Sequence, residues 1–500
     1  MQFLHRQLAA GLQVATDKHV LDALIGDLEE IDPILTARLA LLVLNQMGRR
    51  SFRVHESLPP PCCVLSKVLK HVVKYYKRDY RPGQAIAVQS FVARARAGGG
   101  DMKITQIETL RTEEFANVLW VRIHTDAGII GLGETFYGAG AVESHIHDTL
   151  AMRLLGKNPL HVEALHREMT NLPMAQSSTG AESRATSAID IALWDLFGKV
   201  CDQPVHQMLG GLCRYKQRTY NTCAGYKYVR SHNIKPVSTW NLDEKTGPYE
   251  DLDGFMNRAD AVAESLLESG ITAMKIWPFD PAAIENNGLH ITPAQMKKAI
   301  EPFEKIRKAV GDKIEIMVEF HSLWNLPTAI KIARALEPYQ PTWYEDPIRM
   351  NSPQALAEYA RSTTVSVCAS ETLGSRFPYK DMLDRDAMHI VMADLCWTGG
   401  LTEGRKIAAL ADTYHRPFAP HDCIGPVGFA AAIHASFSQP NTLIQESVRA
   451  FYSGWYRELV DNVPVIKDGF ILPMEGPGLG LDLLPAVYER PDLTVRRSAL

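Results

Sequence analysis

The sequence has no Cys-x-x-Cys pair, no long hydrophobic run and little net charge, and each absence excludes a class of protein. Eight cysteines (62, 63, 201, 213, 223, 368, 396 and 423) show no zinc-ligand spacing. Cys368, Cys396 and Cys423 fall in or beside strand-like segments, a pattern of reduced thiols rather than a disulfide framework. The longest apolar run in the N-terminal region, LALLVL at 39–44, is too short to span a bilayer, and no charged segment leads into a sustained apolar one. The expectation is a cytoplasmic protein with no membrane partner. A formal net charge of −4 and a pI near 6.5 likewise argue against a nucleic-acid partner. What is there, 500 residues at 46% hydrophobic and 22% charged, suits a soluble chain of two or three domains.

The most ordered feature lies between Glu319 and Glu446. Glu319 (KIEIMVEFHS), Glu345 (PTWYEDP), Glu371 (VSVCASE), Asp394 (HIVMADL), His421 (PFAPH) and Glu446 (NTLIQE) each close a short apolar, strand-like run, at intervals of 23 to 27 residues. A strand, a turn, a helix and a turn need about 25 residues, so the spacing predicts successive βα units of a parallel barrel. Between the strands, NLPTAIKIARALEPY, NSPQALAEYARS and TGGLTEGRKIAALADTYH carry apolar residues at helical spacing. The C-terminal ends of barrel strands open onto one face, so six polar groups far apart in sequence are expected at one mouth.

The rest divides around this stretch. Residues 1–101 read as a helical N-terminal extension: HVLDALIGDLEEI is amphipathic, Asp32-Pro33 starts a second helix, and SKVLKHVVKYYKRDY carries a lysine-rich face before the linker ARARAGGGD. Residues 102–216 read as an α+β domain, with MKITQIETLRT and FANVLWVRIHTDAGIIGLGETF as strands and an apolar stripe in GAESRATSAIDIALWDLFGKV ending near Gly198. Residues 217–455 form the barrel, from QRTYNTCAGY through ITAMKIWPFD, with a long loop at 226–253 over the mouth and a helix at 255–269. Residues 456–500 contain GFILPMEGPGLGLDL, whose Gly/Pro density predicts an irregular return segment.

Glu319, Glu345 and Glu371, at the ends of three consecutive strands, fit an octahedral oxygen site for a hard divalent ion such as Mg²⁺ better than a zinc site. Any one of them alone would more often cap a helix or pair with an arginine. Asp394 and His421 follow on the next two strands, where a carboxylate can hold an imidazole's tautomer and make it a base. His321, two residues beyond Glu319 and so on the same side along a strand, is either a second acid/base group or a loop residue without chemistry. Lys275 is a base, an electrostatic partner of a substrate carboxylate, or a plain surface lysine. Glu446 either donates a hydrogen bond to a substrate oxygen, if its pKa is raised, or forms a structural ion pair. Together these groups suit abstraction of a proton α to a carboxylate, and with an acid opposite the base, β-elimination of water.

From about Met102 to about Leu484 the chain resembles the mandelate racemase subgroup of the enolase superfamily. The resemblance rests on SAIDIALWDLFGKVCDQPVHQMLGG, on Glu319, Glu345 (in YEDP) and Glu371, on ADLCWTGGLTEGRKIAALA with Asp394, and on His421 in APHDCIGP. It implies a modified (β/α)7β TIM-type barrel with an α+β capping domain that residues 456–500 complete, one Mg²⁺ per subunit on the three glutamates, the Asp394–His421 dyad as general base, and Glu446 as hydrogen-bond donor to the enediolate. It also implies a homo-oligomer. Racemases of the subgroup carry Lys-x-Lys on the second strand, where this chain has Lys275-Ile276-Trp277. Glu319-Phe320-His321 instead resembles the acid-x-His pattern of galactonate dehydratases, with His321 as the acid. The implied reaction is dehydration of a small-molecule sugar acid, aldonate or aldarate, to a 2-keto-3-deoxy acid. An epimerase, racemase or cycloisomerase using the same enediolate is the alternative, and a catalytically silent binding barrel is the alternative of another class.

Overall fold

The computed structural model describes residues 102–172, 175–176, 180–228, 230 and 247–500. The helices expected in residues 1–101, Cys62 and Cys63, and most of the 226–253 loop lie outside the described residues. The chain divides into two compact units, and the one that carries the elements below is Lys103–Asp126 with Ile130–Leu500.

Strands β1 (Ile104–Thr112), β2 (Val118–Thr125) and β3 (Ile130–Phe136) form an antiparallel meander. A last strand, Leu493–Ala499, adds to its other edge by pairing antiparallel with β1 along Gln106↔Ala499 to Thr112↔Leu493. The end of the chain thus completes the sheet that starts after residue 102. Helix α1 (Ala181–Cys201) lies on this sheet. A Cβ on Gly131 or Gly133 of β3 would stand 2.1 Å from the Ala192 carbonyl or 2.0 Å from that of Ala188, so only glycine permits this approach. The helix runs past Gly198 and stops at Asp202, which takes a left-handed conformation (φ 55°). More than a stripe is buried: Asp190 and Asp195 sit inside, Asp195 accepting from the Leu132 and Leu479 amides, each at 2.8 Å. These amides for Asp195, and the Thr402 amide that Asp190 accepts at 2.9 Å, are what let carboxylates occupy an apolar helix.

Eight parallel strands make the barrel: β4 (Gln217–Thr222), β5 (Ala273–Ile276), β6 (Glu315–Glu319), β7 (Trp343–Glu345), β8 (Ser366–Ala369), β9 (Ile390–Ala393), β10 (Phe418–Pro420) and β11 (Gln445–Ser447). Each pairs with the next in order through β10, β11 pairs with β4, and bridging at Phe418↔Thr442 completes the ring. Helices fill the seven connections. The expected helix at 255–269 is two, Asp251–Asn257 and Ala259–Glu268, broken at Arg258, and the first takes up the end of the expected 226–253 loop. Local signals start others: Thr292 and Gln295 form a capping box before Pro293–Val310, and the Asn325 side chain caps Leu326–Leu336. The barrel interior is a plug of Tyr220, Ala273, Met317, Trp343, Cys368, Ile390, Met392, Ala419 and Ile444. Tyr220 meets Trp343 edge-on at 5.3 Å. With the interior filled, the acidic groups and imidazoles stand at the C-terminal strand ends. Among the described residues the six cysteines are free thiols, and no helix is long and apolar enough to cross a membrane.

Candidate active site

Glu319 ends β6 and Glu345 ends β7, and the two are direct neighbours in the parallel register. Glu371 lies two residues beyond β8. The three carboxylates offer oxygens that all lie within 4.8 Å of one another. Oε2 of Glu319 is buried without a hydrogen-bond partner, whereas Oε1 accepts the His321 amide at 2.5 Å. An all-oxygen set of two buried carboxylates and a partly exposed third, with one oxygen lacking a hydrogen bond, fits a hard divalent cation.

Lys275, on β5, is fully buried, which removes the surface-lysine reading. Its Nζ lies 2.5 Å from Glu345 Oε1, 2.9 Å from Glu446 Oε1 and 3.5 Å from Glu319 Oε2. Burial alone would lower its pKa, but Glu345 and Glu446 outweigh burial and hold the ammonium well above its ordinary range. A lysine so held is a fixed cation and not a free amine base. Burial, then the neighbouring Glu319, push Glu345 up against the pull of Lys275.

Asp394 and His421 follow β9 and β10 immediately. His421 Nδ1 is 2.7 Å from Asp394 Oδ2, and Asp394 Oδ1 accepts the Cys396 amide at 2.7 Å. The other ring nitrogen, Nε2, is 2.7 Å from Glu371 Oε2 and 3.8 Å from Glu446 Oε2. Burial works to lower the His421 pKa, and Glu371, Glu446 and Asp394 together raise it well above the usual value. Glu371 shows the reverse balance: burial raises it, and the His421 charge brings it down to about 2.

Glu446, on β11, accepts from the Thr222 hydroxyl and from the Asp422 amide, the latter at 2.9 Å. Donation from Glu446 requires a raised pKa, and its surroundings work the other way. Burial would raise the carboxyl, but Lys275 and His421 bring it below its ordinary value. The ion-pair reading of this residue describes what the structure holds.

His321 lies beyond the end of β6, so strand alternation does not place it. His321 and Ser322 both take positive φ (47° and 57°), and that turn carries the imidazole to the mouth. Nδ1 is 2.6 Å from Asp280 Oδ2, and the ring packs edge-on to Trp277 at 5.8 Å. Burial would lower its pKa, but Asp280 and Glu319 push it up to about 10.

All eight residues singled out in the sequence therefore gather at one end of the barrel, linked through Lys275, His421 and the short Glu319–His321 segment. A pocket there is lined by His321, His421, Lys275, Glu371 and Glu446 with Thr222, Cys423 and four aromatics, Tyr137, Tyr228, Trp277 and Trp397. Trp397 flanks His421 at 5.4 Å between ring centres. Tyr137 and Tyr228 come from loops the sequence marks, ETFYGAGA and the start of 226–253, whereas Trp277, Trp397, Asp280 and Asp346 carry no such signal. Asp346, next to Glu345, is buried and accepts from Ser370 Oγ at 2.7 Å. The one signal for Asp280 was an acidic residue four places past a strand end in WPFDP.

Residues 103–210 match the mandelate racemase/muconate lactonizing enzyme N-terminal domain, and residues 257–487 match the enolase C-terminal domain-like family. The chain is 31% identical over 400 residues to a D-galactonate dehydratase of Ralstonia pickettii, across 78% of this chain and 94% of that protein. It is 29% identical over 395 residues to a D-xylonate dehydratase of Haloferax volcanii, across 78% of this chain and 89% of that one. In structure it is similar to an enolase of the mandelate racemase subgroup from Agrobacterium tumefaciens, at 48% identity and a TM-score of 0.71, over 79% of this chain and 99% of that chain. Two domain families matched in their proper order, over a barrel and sheet of that kind, place the chain in the mandelate racemase/muconate lactonizing enzyme family of the enolase superfamily.

Proposed function

We propose that the protein is a Mg²⁺-dependent sugar-acid dehydratase that removes water from an aldonate or aldarate to give a 2-keto-3-deoxy acid. The observation that carries this reading is the pair of imidazoles, His421 and His321, on one pocket beside the Glu319–Glu345–Glu371 cluster. The named relatives act on D-galactonate and D-xylonate, which supports a small polyhydroxylated acid as substrate.

Glu319, Glu345 and Glu371 are the residues that would hold a divalent cation, which when bound would supply positive charge for the developing enediolate. Asp394, 2.7 Å from Nδ1, fixes the His421 tautomer and leaves Nε2 to take the α-proton. Lys275, held as a cation, offsets the carboxylates and adds positive charge beneath the substrate carboxylate. Glu446 keeps Lys275 and the His421 segment in place through Lys275 Nζ and the Asp422 amide. His321 gives its proton to the departing β-hydroxyl, and the enol product tautomerises to the keto acid. The aromatic walls exclude water from the intermediate.

Incubation with a panel of aldonates and aldarates and Mg²⁺, read by semicarbazide for 2-keto acid, tests the reaction. One sugar acid is expected to respond, and His421→Asn to lower kcat by about 1,000-fold or more. No keto acid from any member of the panel would sink the dehydratase. Two imidazoles on one pocket also suit α-epimerisation, which would appear as α-proton exchange and a new stereoisomer without loss of water.

A further inference from the structure

We propose that Asp280 is a positioning residue for the acid step: it holds the His321 ring so that Nε2 delivers the proton to the departing hydroxyl. The inference rests on the dehydratase reading. Asp280 opens a short helix (Asp280–Glu285) just after β5, and its carboxyl is buried although His321 stands at the mouth with a side chain 29% exposed. Its Oδ2 lies 2.6 Å from His321 Nδ1, while Oδ1 is buried without a partner, so the carboxylate is spent on this one imidazole. A half-open histidine on a two-residue turn of positive φ would otherwise rotate freely. Two contacts on the ring stop it, Trp277 against its edge and Asp280 on Nδ1, while the Glu319 carboxylate on the His321 amide holds the turn itself. With Nδ1–H donated to Asp280, Nε2 is the nitrogen left for chemistry.

The arrangement repeats that of the base. His421 also uses Nδ1 toward a buried carboxylate, Asp394 Oδ2 at 2.7 Å. His321 follows β6, the third barrel strand, and His421 follows β10, the seventh. Four places apart in a ring of eight, they stand on opposite sides of the pocket. The step then balances. The α C–H bond breaks and its proton goes to His421 Nε2. The electron pair forms the carbon–carbon double bond, the β C–O bond breaks, and the His321 Nε2 proton completes the water that leaves. Exchange with solvent resets both rings.

Wild type, Asp280→Asn, Asp280→Glu and His321→Asn are incubated in D₂O with Mg²⁺ and the same panel of aldonates and aldarates. Keto acid is read by semicarbazide and α-deuterium in recovered substrate by NMR. For Asp280→Asn, kcat for elimination is expected to fall about 100-fold with KM within about twofold. α-Deuterium should accumulate in recovered substrate as it does in His321→Asn, because the base is intact. Asp280→Glu should recover part of the elimination rate. Exchange and elimination lost in parallel in Asp280→Asn would mean a structural role and overturn the inference, as would wild-type elimination. Wild type giving neither keto acid nor exchange would instead remove the dehydratase reading and this inference with it.

Discussion

Lys275 faces three carboxylates and almost no solvent, and its charge draws Glu446 down and pulls against the burial of Glu345. Buried ion pairs add little net stability against an apolar replacement, but breaking one leaves uncompensated charge inside the protein. Lys275→Met is therefore expected to destabilise the protein by about 3–5 kcal/mol when Mg²⁺ is chelated. Added Mg²⁺ should return part of that loss by neutralising the same glutamates, so the variant gains more from the cation than wild type does. Urea unfolding with and without chelator checks both halves. A variant as stable as wild type in chelator would mean that the carboxylates are already protonated and need no counter-charge.

Helix Pro426–Ser438, which follows the His421 strand, buries His434 against His206. The rings stack 5.2 Å apart, His434 Nδ1 lies 3.1 Å from both His206 Nδ1 and the His206 amide, and Nε2 is 3.1 Å from the Leu479 carbonyl. Donation to that carbonyl and acceptance from the amide require a neutral ring, and burial drives the His434 pKa down from 6.5 to about 3. Below the unfolded value the unfolded chain takes up a proton that the native helix refuses. Stability thus falls as pH drops from 6.5 toward the folded value, by about 2 kcal/mol between pH 7 and pH 5. His434→Asn keeps an acceptor and cannot titrate, so its unfolding free energy should fall less over that range by the same amount. Parallel wild-type and variant curves would show that the imidazole protonates normally in the native state.

At the scale of the molecule, the sheet closed by Leu493–Ala499, helix α1 and the barrel are tied together around the pocket. Glu134 on β3 accepts the Gly428 amide at 2.9 Å, at the start of the helix behind His421, and Ser187 on α1 accepts the Gly399 amide at 2.8 Å. A cation on the three glutamates binds only the folded barrel, because Glu319, Glu345 and Glu371 meet only once their strands pair. Mg²⁺ at about 100 times its Kd is expected to add about 2.7 kcal/mol of stability, and a chelator to remove it together with activity. Thermal unfolding in Mg²⁺ and in chelator gives the result directly. Equal midpoints would mean that the carboxylate cluster is not a cation site.

Most of the barrel was legible because its information is local. Strand and helix periods and strand-closing acids recur at a fixed interval, and that spacing alone brings Glu319, Glu345, Glu371, Asp394, His421 and Glu446 to one face. The family resemblance added roles to those positions. What the sequence could not decide depends on contacts between distant segments. Whether Lys275 is a surface residue or a buried cation turns on Glu446, brought to it by the pairing of β11 with β4 that closes the ring. The same closure sets the direction of the Glu446 pKa. His321 reaches the mouth through a left-handed turn rather than strand alternation, and its partner Asp280 comes from the preceding βα connection. Periodicity specifies which residues end the strands; the ionisation and aim of each group depend on neighbours that only the closed barrel supplies.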